Sequence, residues 1–136
     1  MIDIYKNIET PCFVIDKFEL DNNITSINEG RKVFKNSIIG YSVKTNSLRW
    51  LLEYFNNNTD FIFEVVSPDE YDYVSKIGIN SKKIIYNGPC KNKESLEYAL
   101  LNGSIVNIDT YPDLLNIEKI NFPVSIGIRI NVTNNT

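Results

Sequence analysis

A chain of 136 residues, 43% of them hydrophobic, is long enough for one domain with a real core and too apolar to be disordered. Its 14 basic and 17 acidic side chains leave a net charge of −3 and no basic stripe, which argues against a nucleic-acid footprint or a polybasic membrane anchor. There is no histidine, so imidazole-activated nucleophiles drop out, an ordinary zinc site becomes improbable, and no metal is expected.

The opening "MIDIYKNIET" carries two acids and no long apolar run, unlike a signal peptide. Runs such as "FIFEVV" are strand-sized, so no segment is expected to span a membrane. Cys12 and Cys90 stand far apart without metal-ligand spacing and read as two reduced thiols of a cytoplasmic protein rather than as a disulfide. "PCFVID" is an extended start, with Pro11 keeping Thr10 out of the helical region. Residues 17–35 place Phe18, Leu20, Ile24, Ile27 and, past Gly30, Phe34 near helical spacing. The strand "SIIGYSVK" follows, and Ser47 is a plausible N-cap for the helix "LRWLLEYF". "DFIFEVVS" is the next strand. Ser67, Pro68, Asp69 and Glu70 then make a strong helix start, and Gly78 stops that helix. The cycle repeats through "KKIIYNG", the helix "NKESLEYALLNG", the strand "SIVNID", the helix "YPDLLNIEKI" and the strand "PVSIGIRIN".

From residue 37 onward the reading gives five strands and four helices in strict alternation, the pattern of parallel strands with helices outside. No GxGxxG follows the first strand, which disfavours a dinucleotide-binding unit. The expected fold class is α/β, a partial (β/α)8 barrel of five βα strands. Parity agrees. Ile39, Tyr41 and Val43 share one face of their strand, and Ile38, Gly40, Ser42 and Lys44 share the other. Val124, Ile126, Ile128 and Ile130 likewise oppose Ser125, Gly127, Arg129 and Asn131. One face is apolar and should meet helices. The other is small below and charged toward the strand ends, where barrel enzymes carry their catalytic residues. A closed barrel needs eight strands and typically ~250 residues, so the chain reads as a fragment or a truncated product.

Lys44 is the residue to explain. A single lysine is ordinarily a solvated amine. This one ends a strand above Gly40 and Ser42, where burying an ammonium is costly unless it is paired or functional. A desolvated lysine can attack a carbonyl as a free amine, and the two small residues leave room for a flat ligand.

The motifs in order carry a resemblance. "TPCFVID", then "YSVKTN", "FEVVSPDEYDYVSKIGI", "IIYNGPCKNKESLEYALLNGSIVNIDT" and "IRIN" resemble the N-terminal part of the pyridoxal-phosphate-dependent decarboxylases of alanine-racemase-like fold. That family includes diaminopimelate, ornithine, arginine and carboxynorspermidine decarboxylases. The likeness runs in register over about residues 10–131, and several ordered motifs are more specific than any one of them. It implies pyridoxal 5'-phosphate as cofactor, an amino acid as substrate and a homodimer in the full-length form. It divides the chain into an N-terminal extended segment, 1–16, and the truncated barrel domain, 17–136. Residue by residue, Lys44 matches the lysine that holds the cofactor as an internal aldimine, Ser42 a small pocket-lining residue, Glu64 an acid near that lysine, and Arg129 an arginine reaching toward the same site. Glu64 stands where the family has aspartate, a shift of about one ångström that can cost an active site ~100-fold. A structural ion pair between Glu64 and Arg129 is the competing reading.

The resemblance implies decarboxylation through a Schiff base on Lys44. A racemase would use the same lysine, and a non-catalytic regulatory relative or a ligand-free barrel fragment remains open beside both. The family's ring-stacking histidine, phosphate-binding loop, acid on the pyridine nitrogen and second β-domain lie downstream, so the 136 residues alone are expected to be inactive.

Overall fold

The computed structural model describes residues 8–130. The chain divides into two compact units between Ser37 and Ile38.

In the first unit, residues 8–16 form no strand and lead into helix α1, Lys17–Arg31. Its cap is Asp16, whose Oδ1 accepts from the Phe18 and Glu19 amides at 2.9 and 3.3 Å. The helix stops four residues short of the expected end. Past Gly30 the bonds tighten from i−4 to i−3, as in Val33 N to Gly30 O and Phe34 N to Arg31 O, so Phe34 lies in a turn beyond the helix.

The second unit is a parallel sheet of five strands with four helices between them. The strands are β1 Gly40–Ser42, β2 Ile62–Val65, β3 Ile84–Tyr86, β4 Ile105–Ile108 and β5 Ile126–Ile128. They lie side by side in sequence order, with no reversal of the kind that marks a doubly wound sheet. The register sets Ser42 beside Glu64 and Asn107 beside Gly127.

Alternation does the sorting. Phe63, Val65, Ile84, Tyr86 and Val106 are fully buried on the face that meets the helices. Helix α2, Arg49–Asn58, contributes Leu51, Leu52 and Phe55 to that layer; α3, Pro68–Ile77, contributes Tyr71 and Val74; α4, Lys93–Leu101, contributes Leu96 and Ala99; and α5, Tyr111–Ile117, contributes Ile117. Each fully buried aliphatic or aromatic side chain contributes about 1.5–3 kcal/mol. A polar chain crosses the same layer: Tyr71 Oη meets Ser104 Oγ at 2.7 Å, and Ser104 donates to the Ser81 carbonyl at 2.8 Å.

Local punctuation places the helices. Ser67 accepts from the Glu70 amide at 3.2 Å, and Gly78 takes φ 93° at the end of α3. Asn92 caps α4, and Thr110 with Asp113 forms a capping box on α5. One cap differs from expectation. Ser47 makes no side-chain cap on α2, whose N-cap residue is Leu48. The polar service comes from Asn46 Oδ1, which accepts from the Leu48 amide at 3.0 Å.

Gly88 shapes the turn after β3. It sits at φ 93°, and a Cβ there would collide with the Val66 carbonyl oxygen and lie 2.9 Å from Val66 C and Cα. Gly88→Ala combines a left-handed backbone with a clash against backbone, for an expected loss of about 2–3 kcal/mol in urea unfolding. A loss under about 0.5 kcal/mol would mean that the turn relaxes freely.

Candidate active site

The polar face of the sheet gathers its chemistry at the C-terminal strand ends. Lys44 lies there, in a different setting from the one its sequence suggests. Strand β1 ends at Ser42, and Val43–Thr45 form a single 3₁₀ turn, so Lys44 stands just beyond the strand and is exposed. The reason is local. Thr45 Oγ1 donates to the Ser42 carbonyl at 2.7 Å and bends the chain, while Val43 is the residue that enters the core. Tyr41 Oη donates to the Asn46 carbonyl at 2.8 Å and Tyr73 Oη to the Ser47 carbonyl at 2.9 Å. The backbone around Lys44 is therefore pinned while its amine remains reachable from solvent.

Glu64, on β2, is half-buried beside Ser42. Its Oε1 accepts from Asn87 Nδ2 at 2.7 Å, and Asn87 Oδ1 in turn accepts from Asn107 Nδ2 at 2.6 Å. The Ser42 hydroxyl, then Asn87, hold the Glu64 carboxyl below the usual glutamate range against the opposing effect of burial, with Lys44 and Arg129 adding smaller attractions. Ser42 Oγ is itself buried without a hydrogen bond of good geometry. An electrostatic influence tolerates poorer geometry than a hydrogen bond does, so Ser42 is a neighbour of the carboxylate rather than a fixed partner.

Arg129 follows β5 and is largely exposed, and its partner is Asp109, not Glu64: Nη1 to Oδ1 is 3.5 Å. Spacing explains this. Strands β2 and β5 are three places apart, about 14 Å along the wall, whereas Asp109 ends the strand next door. Asp109 is in turn gripped from behind. Lys91 Nζ lies 3.1 Å from Asp109 Oδ2 and 3.3 Å from Asp113 Oδ2, and it also donates to the Gly88 carbonyl. The Lys91 side chain is fully buried, 5.6 Å above the Tyr86 ring. Burial pushes the Tyr86 phenol up to about 12. Asp113 Oδ2 further accepts from the Asp109 and Thr110 amides at 3.2 Å each.

The structure thus brings Ser42 and Glu64 together, puts Lys44 and Arg129 within their electrostatic reach, and separates Glu64 from Arg129. Asn87, Lys91, Asn107, Asp109 and Asp113 were not singled out by the sequence. Parity carried a signal for two of them, since stepping two residues past Ile85 or Ile105 reaches Asn87 or Asn107 on the polar face.

The family described as "Pyridoxal-dependent decarboxylase, pyridoxal binding domain" matches residues 21–136. The diaminopimelate decarboxylase of Campylobacter jejuni is 29% identical over 131 residues, 93% of this chain and 32% of that protein. That of Archaeoglobus fulgidus is 26% identical over 95% of this chain and 31% of its own length. Among solved structures, diaminopimelate decarboxylase from Helicobacter pylori complexed with L-lysine superposes with a TM-score of 0.75 at 24% identity, covering 93% of this chain and 33% of that one. The Paramecium bursaria Chlorella virus arginine decarboxylase gives 0.64 at 22% identity, over 80% of this chain and 30% of that one. These structural likenesses show the fold, part of a (β/α) barrel wall. The chain spans about a third of the length of the curated relatives it matches. On the span of the match and the motifs within it, this chain belongs to the pyridoxal-binding domain family of the pyridoxal-dependent decarboxylases.

Proposed function

We propose that the chain holds pyridoxal 5'-phosphate on Lys44 and serves the decarboxylation of an amino acid of the diaminopimelate, ornithine and arginine class. The observation that carries this reading is one reachable primary amine on a pinned turn, beside a carboxylate kept ionised, at the C-terminal edge of a parallel sheet. The residues fit the group. Ser42 Oγ is buried and lacks a hydrogen bond of good geometry, and a Cβ at Gly40 would meet only Ile85 Cδ1, at 3.9 Å, so this face has unfilled space for a flat polar ring.

In this reading Lys44 binds the cofactor through Nζ, Ser42 and Glu64 line its flank, and Arg129 offers a cation to an anionic group of cofactor or substrate. When bound, the pyridoxal ring supplies an electron sink for the charge left on Cα as carbon dioxide departs. Lys44, as its ammonium, would be the group on this face able to give a proton to the substrate's Cα. Glu64 stays anionic and steadies positive charge nearby rather than donating a proton. Asp109, held by Lys91, sets the direction of Arg129. Relatives named diaminopimelate decarboxylase support the substrate class, and a homodimer belongs to the same reading.

The test is carbon dioxide release from diaminopimelate, ornithine, lysine and arginine by the whole polypeptide that carries this chain, with enantiomers of each followed in parallel. Release from one of them is expected. Racemisation without release would replace the decarboxylase by a racemase, and inertness toward all four would favour a non-catalytic relative.

A further inference from the structure

We propose that Asn87 and Asn107 form a one-way hydrogen-bonded relay that fixes the orientation of Glu64, making both asparagines positioning residues of the pyridoxal site. The inference rests on the functional reading above and extends it to residues that make no claim on the cofactor themselves.

The relay crosses the polar face strand by strand. Asn107, on β4, donates through Nδ2 to Asn87 Oδ1 at 2.6 Å; Asn87, just past β3, donates through Nδ2 to Glu64 Oε1, on β2, at 2.7 Å. Both amides thus point their NH₂ groups the same way, and the row ends on an acceptor. Aligned dipoles reinforce one another, and a bond to a carboxylate is about twice as strong as one between neutral groups. The backbone supports the middle member, since the Asn87 amide donates to the Val65 carbonyl at 2.8 Å.

Gly127 completes the device on β5, in register with Asn107. A Cβ there would run into Asn107 Oδ1 and lie 3.1 Å from Asn107 Cγ, so the missing side chain at 127 is what lets Asn107 lie across its neighbour strand. Four residues on four adjacent chain segments form one arrangement whose open end is Glu64. If the row only satisfied polar atoms of the sheet, its loss would lower stability and leave the Glu64 titration where it was.

The carboxyl supplies the readout. The groups acting on it are Ser42, Asn87 and, as charges, Lys44 after β1 and Arg129 after β5. Because folding lowers its pKa, Glu64 adds stability above the ordinary value of 4.5, and that stability is lost as pH falls through the lowered midpoint. Breaking the relay moves the loss to higher pH.

The experiment follows the Glu64 side-chain carboxyl carbon by NMR against pH in the whole polypeptide that carries this chain, without cofactor, with Glu64→Gln to assign the signal. Asn87→Ala is expected to raise the midpoint most. Asn107→Ala, which touches no atom of Glu64, should raise it less, and Gly127→Ala should raise it in the same direction with all three relay residues still present. Midpoints unmoved in both Asn107→Ala and Gly127→Ala, with either variant folded, overturn the relay. The same protein loaded with pyridoxal phosphate separates the two claims. An unmoved midpoint with label on Lys44 rejects the relay alone. A moved midpoint with no label on Lys44 rejects the pyridoxal reading, and with it the role assigned to the asparagines.

Discussion

Lys44→Ala is expected to reduce carbon dioxide release by the whole polypeptide at least ~10³-fold, the middle of the range for removing a positioned acid–base group, with loss of covalent cofactor attachment added to it. Its melting temperature should barely move. Lys44 is exposed on a turn held by Thr45, Tyr41 and Tyr73, none of which depends on its side chain, and surface substitutions of that kind stay within about 0.5 kcal/mol. The split between activity and stability is the informative part. A variant that keeps a tenth of its turnover, or loses activity only in step with folding, would remove Lys44 from the chemistry.

The second large effect is on stability. Lys91→Met keeps the length and apolar stem of a fully buried side chain but withdraws its charge from between Asp109 and Asp113. Breaking a buried ion pair from one side costs about 3–5 kcal/mol, because the abandoned charges stay in a poorly solvated place. Here two nearly buried carboxylates lose their shared buried cation, which leaves Asp109 with the exposed Arg129 and Asp113 with backbone amides, and one oxygen of Asp113 already has no partner. Urea unfolding should show that loss, while Lys76→Met, which breaks an exposed helical pair with Asp72, should change little. A loss under about 1 kcal/mol for Lys91→Met would mean that water replaces the ammonium without difficulty. Arg129 should also lose its fixed direction, since Asp109 is shared between the two cations.

The sequence yielded most where a structural decision is local. Ser67, Pro68 and Gly78 bound α3 to the residue, because a cap, a fixed φ and a left-handed stop each act within a few residues. Decisions that depend on neighbours were less legible. The strand expected over 37–44 shrinks to Gly40–Ser42, since pairing with β2 runs only from Ile62 to Glu64 and Thr45 then turns the chain. Lys44 consequently leaves the strand and its burial. Ser47 and Asn46 are both competent caps in isolation, and only the path of the turn selects Asn46. Parity places Arg129 on the charged face and the resemblance puts Glu64 near the same lysine, but neither says anything of lateral distance, so a direct pair between them looked reasonable. The strand order gives them separate partners instead, Asn87 and Asp109, each just past the end of an adjacent strand. Lys91 was hidden for a similar reason. In "NGPCKNK" it reads as a solvated loop cation, and only the approach of the following βα loop buries it.

That Lys44 is the cofactor-bearing residue is tested most directly by reduction and mapping. The whole polypeptide carrying this chain is loaded with pyridoxal phosphate, treated with borohydride and digested, and its peptides are sequenced by mass spectrometry. One pyridoxyl group is expected, on the peptide containing Lys44, and it should disappear in Lys44→Ala. A single label on another lysine, or labelling unchanged by Lys44→Ala, would contradict it.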